Sequence, residues 1–210
     1  MVTGAAGGIG RAIVKRLCDA GARVAAADVN SDGLGGDVAL PGDLTDPDYC
    51  NSLPHQAQAA LGGLDLVVNN AGIIRRGPIT GATDDDLHVS LAVNVASCWG
   101  LRPGPNHPLY CMSKAAVASL TQCLGRDHAH QGIRINAVCP NEVDTPMLRS
   151  GFAARGLDPE SAVAELNASV PLGHIAEANE IADVVMFLLS DQARYMCGAL
   201  VEVNGGKPVI

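Results

Sequence analysis

Short apolar runs alternate along the chain with stretches in which apolar residues recur every three or four positions, and this alternation predicts a parallel sheet with helices on both faces. Strands are expected over 23–27, 38–40, 64–68, 133–138 and 200–203, each run being aliphatic or β-branched and bounded by Gly, Asp or Asn. Ile9, Ile13, Val14 and Leu17 share one face of a helix that Gly21 stops as a left-handed cap. Asp46-Pro47 opens the next helix as N-cap and first residue, with Leu53, Ala57 and Ala60 as its buried stripe. Thr83 followed by Asp84, Asp85 and Asp86 places carboxylates in a first turn, where the helix dipole favours solvated capping charge over a metal cluster.

Residues 144–169 break the alternation and carry Met147, Leu148, Phe152, Leu157 and Leu166, which suits small helices over a cleft. The stretch 102–108 is a loop rich in Pro and Gly, and no repeat or linker separates domains. The fold expected is α/β, a doubly wound, Rossmann-like parallel sheet in three α/β/α layers. Residues 1–210 are expected to form a single domain, with 144–169 as a small segment covering the cleft.

Composition narrows the partners. The 210 residues include 22 acidic and 14 basic side chains, a net charge of −8, and only six aromatics, which gives neither the basic footprint nor the stacking platforms of a nucleic-acid binder. No run approaches the roughly 20 apolar residues that span a bilayer, and residues 1–20 lack the pattern of a signal peptide. A cytoplasmic location without a membrane partner is therefore expected. Cys18, Cys50, Cys98, Cys111, Cys123, Cys139 and Cys197 are odd in number and never spaced C-x-x-C, as reduced core thiols would be. His128 and His130 fall on different helical faces, so no metal site is expected.

Candidate chemistry begins at Thr3-Gly4-Ala5-Ala6-Gly7-Gly8-Ile9-Gly10, where Gly4, Gly8 and Gly10 stand between a strand remnant and an amphipathic helix. Glycine there lets the backbone approach a pyrophosphate seated on the helix N-terminus. Asp28 follows Gly10 by 18 residues, at the end of the next strand, where a carboxylate can accept hydrogen bonds from an adenosine ribose. That carboxylate repels a 2′-phosphate, and no Arg or Lys stands inside the loop or directly after Asp28, which favours NAD over NADP. Tyr110-Cys111-Met112-Ser113-Lys114 puts a phenol and an ammonium on one helical face. A cation that close stabilises phenolate and makes the tyrosine a usable general acid/base. Ser97, in Asn94-Val95-Ala96-Ser97, is the hydroxyl to hold a substrate oxygen beside it.

With these residues in order, the sequence resembles the short-chain dehydrogenase/reductase family over practically its full length. Five motifs carry the resemblance: the loop 3–10, Asp43-Leu44, Asn69-Asn70-Ala71-Gly72, Ser97 with Tyr110 and Lys114, and Pro140 to Thr145. The resemblance implies Tyr110 as proton donor or acceptor, Ser97 as orienter of the substrate oxygen, and Lys114 as holder of the nicotinamide ribose. It places Asp43 and Leu44 at the adenine ring, Asn70, Ala71 and Gly72 along the adenosine, Pro140 and Val143 in the turn beside the nicotinamide, and Thr145 on the carboxamide. Asp43 could equally serve the helix at Asp46, and Asn70 only its turn. The family reads Pro-Gly where this chain has Pro140-Asn141, and asparagine tolerates that turn better than other side chains.

One stretch is too short. A helix from Asp84 runs into Val93-Asn94-Val95-Ala96-Ser97, the next expected strand, without the usual connection of two to six residues. Asn94 would have to belong both to the helix, where the family's proton-relay asparagine lies, and to the strand. A helix/strand segment of roughly two dozen residues is missing before Ser97, since a crossover needs a full helix and two turns.

The reaction implied is NAD-dependent interconversion of a secondary alcohol and a ketone. A 3-oxoacyl carrier-protein reductase is an alternative, against which Asp28 and the negative charge count, and a catalytically silent NAD-binding protein is another if the shortening is real. Trp99, His107 and Glu142 flank the catalytic set and suit a small polar polyol, sugar or hydroxy acid, although His107 and Glu142 could instead face solvent. Ala115, Ala116, Ala118 and Ser119 extend the Tyr110 helix with small side chains, and the family pairs this helix across a two-fold axis, so a homotetramer is expected.

Overall fold

A computed structural model describes residues 1–73, 83, 96–105 and 107–207. They fall into two compact units, one holding 1–73 with Thr83 and the other 96–207. Among these residues every strand pairing is parallel, as expected of an α/β chain.

In the first unit β1 (Val2–Thr3) leads through the glycine loop into α1 (Gly8–Asp19), and β2 (Ala25–Asp28), β3 (Val38–Pro41) and α2 (Pro47–Leu61) follow. The sheet order is β1-β2-β3. Ile13, Val14 and Leu17 bury the predicted face of α1, and Gly21 takes φ +82 just past its end. Asp46 caps α2 by accepting the Asp48 N–H at 2.9 Å. The stripe of α2 is Leu53, Ala57 and Leu61 rather than Ala60, which is exposed, because positions 53, 57 and 61 keep the helical period. The expected strand 23–27 begins two residues later. That at 64–68 reduces to one parallel bridge between Val2 and Val68, reinforced by the N-terminal amine on the Leu66 carbonyl at 2.8 Å. Leu66 and Val67 are exposed.

The second unit contains α3 (Pro108–His128), β4 (Ala137–Pro140), β5 (Val143–Asp144), α4 (Pro146–Ala153), α5 (Pro159–Ser169), β6 (Ala176–Glu177), α6 (Ala178–Leu189) and β7 (Leu200–Val203). Here β4 pairs with β7 and β5 with β6. The strand expected at 133–138 starts only at Ala137, because Arg134 and Asn136 spend their side chains on the carbonyls of Leu188 and Met196 and hold that approach outside the ladder. The predicted small helices over 144–169 are α4 and α5, packed around Phe152, Val163, Val170 and Ile175. All seven cysteines are free, but only Cys98, Cys111 and Cys139 are core thiols; Cys18, Cys50, Cys123 and Cys197 are exposed. Asp84, Asp85, Asp86, Asn94 and Asn106 lie outside the described residues. No helix of the described residues is long and apolar enough to cross a membrane.

Candidate active site

The first unit builds a dinucleotide cradle from backbone. Gly4 sits at φ +63, and a Cβ on it would come within 2.7 Å of the Ala71 Cα. A Cβ on Gly10 would overlap the Gly4 carbonyl oxygen. These approaches let Asn70 donate from Nδ2 to the carbonyls of Thr3 and Gly4, both at 3.1 Å, while Thr3 Oγ1 accepts the N–H groups of Asn70 and Ala71. The loop and the 69–72 turn are thereby one piece. Gly7 caps α1 without a side-chain hydrogen bond, which leaves the N–H groups of the helix end that Gly8, Ile9 and Gly10 begin suited to an anion. Asp28 lies at the end of β2, its carboxylate accepting the N–H groups of Ala6 at 3.0 Å and Asn30 at 2.9 Å. Each oxygen keeps a lone pair for a further donor. The residues present therefore fit a dinucleotide.

Asp43 and Leu44 divide their duties. The Asp43 carboxylate is exposed and accepts the Thr45 N–H at 2.8 Å, a bond that holds its pKa below the usual value. Its carbonyl accepts the Asp46 N–H, so it does serve the turn into α2, and Leu44 packs on the core.

The second unit gathers the catalytic candidates. Ser97 is buried, has extended backbone and caps a 3-10 turn, Cys98–Gly100; Val93, Asn94 and Val95 of the strand expected before it lie outside the described residues. Its hydroxyl accepts the Trp99 N–H and donates to the Pro140 carbonyl, each at 3.3 Å. Gly100 presses this turn onto α3, where a Cβ would stand 2.5 Å from the carbonyl carbon and oxygen of Lys114. Lys114 is 2% exposed, with Nζ 4.9 Å from the centroid of the Tyr110 ring. Burial pushes its pKa from 10.5 down to about 8. Trp99 meets the Tyr110 ring edge-on at 6.0 Å and lies 5.1 Å from the His107 ring, so of the three substrate candidates Trp99 touches the phenol and His107 stands behind it. Gly104 gives the indole its seat, a Cβ there falling 2.9 Å from the ring.

The turn after β4 survives the Asn141 substitution, since the Asn141 N–H still donates to the Val203 carbonyl at 3.1 Å. Val143 is buried, and Thr145 caps α4 by accepting the Leu148 N–H at 3.3 Å. Glu142 accepts from Lys207 at 3.2 Å. Cys98 and Cys139, pushed by burial to about 12 and about 11, are protonated and inert as nucleophiles. Sequence reasoning missed Gly100 and Gly104, whose only signal is a glycine near Ser97 and in the Pro/Gly loop, and the cations Arg149 and Lys207, which carry no motif. Arg149 grips Asp144 with two bonds of 2.7 Å and reaches Glu160 on α5.

A family described as "short chain dehydrogenase" matches residues 1–98, and one described as "Enoyl-(Acyl carrier protein) reductase" matches residues 90–207. The chain is 34% identical to 4-formylbenzenesulfonate dehydrogenase of Comamonas testosteroni, over 100% of this chain and 97% of that one. That alignment runs over 247 positions against 210 residues here, so at least 37 of them, the difference, have no counterpart in this chain. Ligand-free aldohexose dehydrogenase of Thermoplasma acidophilum superposes with a TM-score of 0.93 at 28% identity, covering 100% of this chain and 94% of the other. A blue fluorescent protein from a metagenomic library, solved with NADPH, gives 0.86 at 31% identity and covers 98% and 96%. Cradle, catalytic helix and relatives agree: the chain belongs to the short-chain dehydrogenase/reductase family, Rossmann-type oxidoreductases that act on CH–OH groups of small molecules with a nicotinamide cofactor.

Proposed function

We propose that the chain is an NAD-dependent dehydrogenase that interconverts a secondary alcohol and a ketone on a small, polar substrate, with residues 1–210 working as one domain. The observation that carries this is the buried Lys114 ammonium beside the Tyr110 ring, on the turn that presents Ser97. When bound, the nicotinamide supplies the hydride acceptor or donor. Tyr110 takes the alcohol proton from the substrate oxygen, or returns it to the carbonyl oxygen in reduction. Ser97 donates its hydroxyl hydrogen to that same oxygen, leaving the Pro140 carbonyl, and so fixes its direction. Lys114, poised near neutrality in a dry site, stabilises the phenolate and holds the ribose.

The Asp28 carboxylate supports NAD over NADP, since it would face a 2′-phosphate with like charge. His107 and Trp99 support a hydroxyl-bearing substrate, as does the sugar in the name of one similar structure. A homotetramer in the cytoplasm completes the reading. On α3 the small Ala115, Ala116 and Ser119 face outward with Met112 and Leu120, whereas Ala118 is turned into the core. The outward set forms an apolar stripe for a partner helix.

A panel of polyols, aldoses, hydroxy acids, steroids and acyl thioesters, assayed with NAD and NADP, tests the reading. Turnover of a polyol or aldose with NAD is expected. Best activity with NADP, on a steroid or on an acyl thioester, would overturn it.

A further inference from the structure

The covering segment leaves the body of the second unit just after Glu142 and returns at Ser169, the last residue of α5. One cation joins these two points. Lys207 Nζ lies 3.2 Å from Glu142 Oε1 and 2.9 Å from Ser169 Oγ, although the two residues are separated by 27 positions in sequence. Both partners are held in place from behind. The Glu142 carbonyl accepts the Ala176 N–H at 3.2 Å and Ser169 Oγ donates to the Leu166 carbonyl at 2.7 Å. Lys207 and Glu142 are mostly buried, their side chains 26% and 22% exposed, and Glu142 Oε2 is a buried oxygen without a hydrogen-bond partner. Among the described residues Lys207 is the cation that offsets the cost of keeping this carboxylate inside.

We propose that Lys207 is a positioning residue for the reaction, a clasp that closes the root of the covering segment and thereby fixes the turn carrying Val143 and Thr145. Glu142 then serves the enzyme through Lys207 and not through a substrate hydroxyl. Two further bonds tie neighbouring points of the root, so losing the clasp loosens the segment without unfolding it. The Leu172 N–H donates to the Gly205 carbonyl at 3.1 Å, and the Ile175 N–H to Asn167 Oδ1 at 2.9 Å. Arg149 braces the segment from within by joining Asp144 to Glu160, so freeing the root lets α4 and α5 shift as a pair.

The inference rests on the proposed reaction for its catalytic meaning, but its geometry is testable without turnover. Hydrogen–deuterium exchange on the full chain compares wild type with Lys207→Met, Glu142→Gln, the double variant and Lys207→Arg. Lys207→Met is expected to speed exchange in 142–169 about tenfold while leaving 108–128 unchanged. Glu142→Gln should do the same, the double variant should add little to either, and Lys207→Arg should recover most of the protection. With the alcohol that wild type oxidises fastest, Lys207→Met should raise KM about tenfold with kcat falling less, and affinity for NADH should weaken with it, because the loosened turn carries Val143 and Thr145. Unchanged exchange in 142–169, a rise spread evenly over the chain, or additive single variants would overturn the clasp. Should wild type oxidise no alcohol, the proposed reaction fails, while the exchange pattern still decides the clasp.

Discussion

In the first unit the residues expected to meet the dinucleotide are fixed by hydrogen bonds to the main chain and by glycines that permit them, whereas in the second the candidate catalytic side chains are fixed by packing, with Ser97 and Lys114 buried and Tyr110 half-buried. Asn70 and Thr3 lace two loops together through four bonds to backbone groups, and no side chain is strained or charged in the process. Lys114 is an ammonium in the interior, held where burial has taken its pKa down to about 8. A binding surface for a large cofactor tolerates a backbone solution because the ligand is matched by shape and by N–H groups. Proton transfer needs a group of matched pKa at one point, and only burial and neighbouring charge move a pKa.

The sharpest way to separate the two regions is Tyr110→Phe, which removes the proton path and little contact area. Turnover should fall by about 10²–10⁴ with NADH affinity nearly intact, read by steady-state kinetics and fluorescence titration. More than roughly a tenth of wild-type kcat remaining would remove Tyr110 from its role.

Two glycines give the next largest contrast. Gly100→Ala drives a methyl group into the Lys114 carbonyl and moves the Ser97 turn off α3, so kcat should drop about 10- to 100-fold while NADH binding holds. Gly10→Ala overlaps the Gly4 carbonyl and should weaken NADH about tenfold and cost about 1–3 kcal/mol of stability. If both variants lost binding and turnover in the same proportion, the division of labour between the units would be wrong.

Lys114→Met tests what burial of the cation costs. The folded pKa of Lys114 lies below its value of 10.5 in water, so the folded chain releases this proton first. Stability therefore rises as pH climbs from about 8 to 10.5, and the cost is carried in full below about 8. Replacing the ammonium by a methionine of similar length should raise stability at pH 7 by roughly 1–3 kcal/mol, several degrees in Tm, with a smaller gain at pH 10 and no turnover at either. Thermal melts at the two pH values decide it. A loss of stability at pH 7 would show that the lysine is repaid by partners within the fold.

The first region was the more legible in sequence, for a physical reason. Gly4, Gly10 and Asp28 sit at a turn and a strand end, which spacing encodes directly, and helix caps such as Asp46 are local too, whereas the bonds of Asn70 to Thr3 and Gly4 reach across 67 and 66 positions and are not read from any local pattern. Gly100 and Lys207 matter only because distant segments come to lie against them, and no window of sequence contains both partners. Strand ends were misjudged where pairing is one-sided. Residues 64–66 read as strand by composition, yet a ladder needs a neighbour, and Val68 pairs only with Val2 among the described residues. The 37 or more positions that the relative has in excess are enough for the helix, strand and turns of a full crossover.

Arg134 is the counterpart of Lys114, a cation that the second unit spends on backbone instead of chemistry. Its guanidinium donates to the carbonyls of Leu188 at 2.8 Å and Ala193 at 3.1 Å, and to Leu189 and Ser190 at 3.4 Å, which closes the carbonyl end of α6 where the helix dipole favours a positive charge. Arg134→Ala should lower stability by about 2 kcal/mol or more, since several acceptors lose a charged donor together and two of them, on Leu188 and Ala193, belong to buried residues. Lys at this position keeps the charge but not the fork, so Arg134→Lys should recover less than half of the loss. Because α6 holds none of the catalytic residues, kcat and NADH affinity at 25 °C should stay within about twofold of wild type in both variants. Denaturant titration and kinetics on the same preparations read the two effects separately, and a loss of turnover at full folded population would place Arg134 among the residues that position the site.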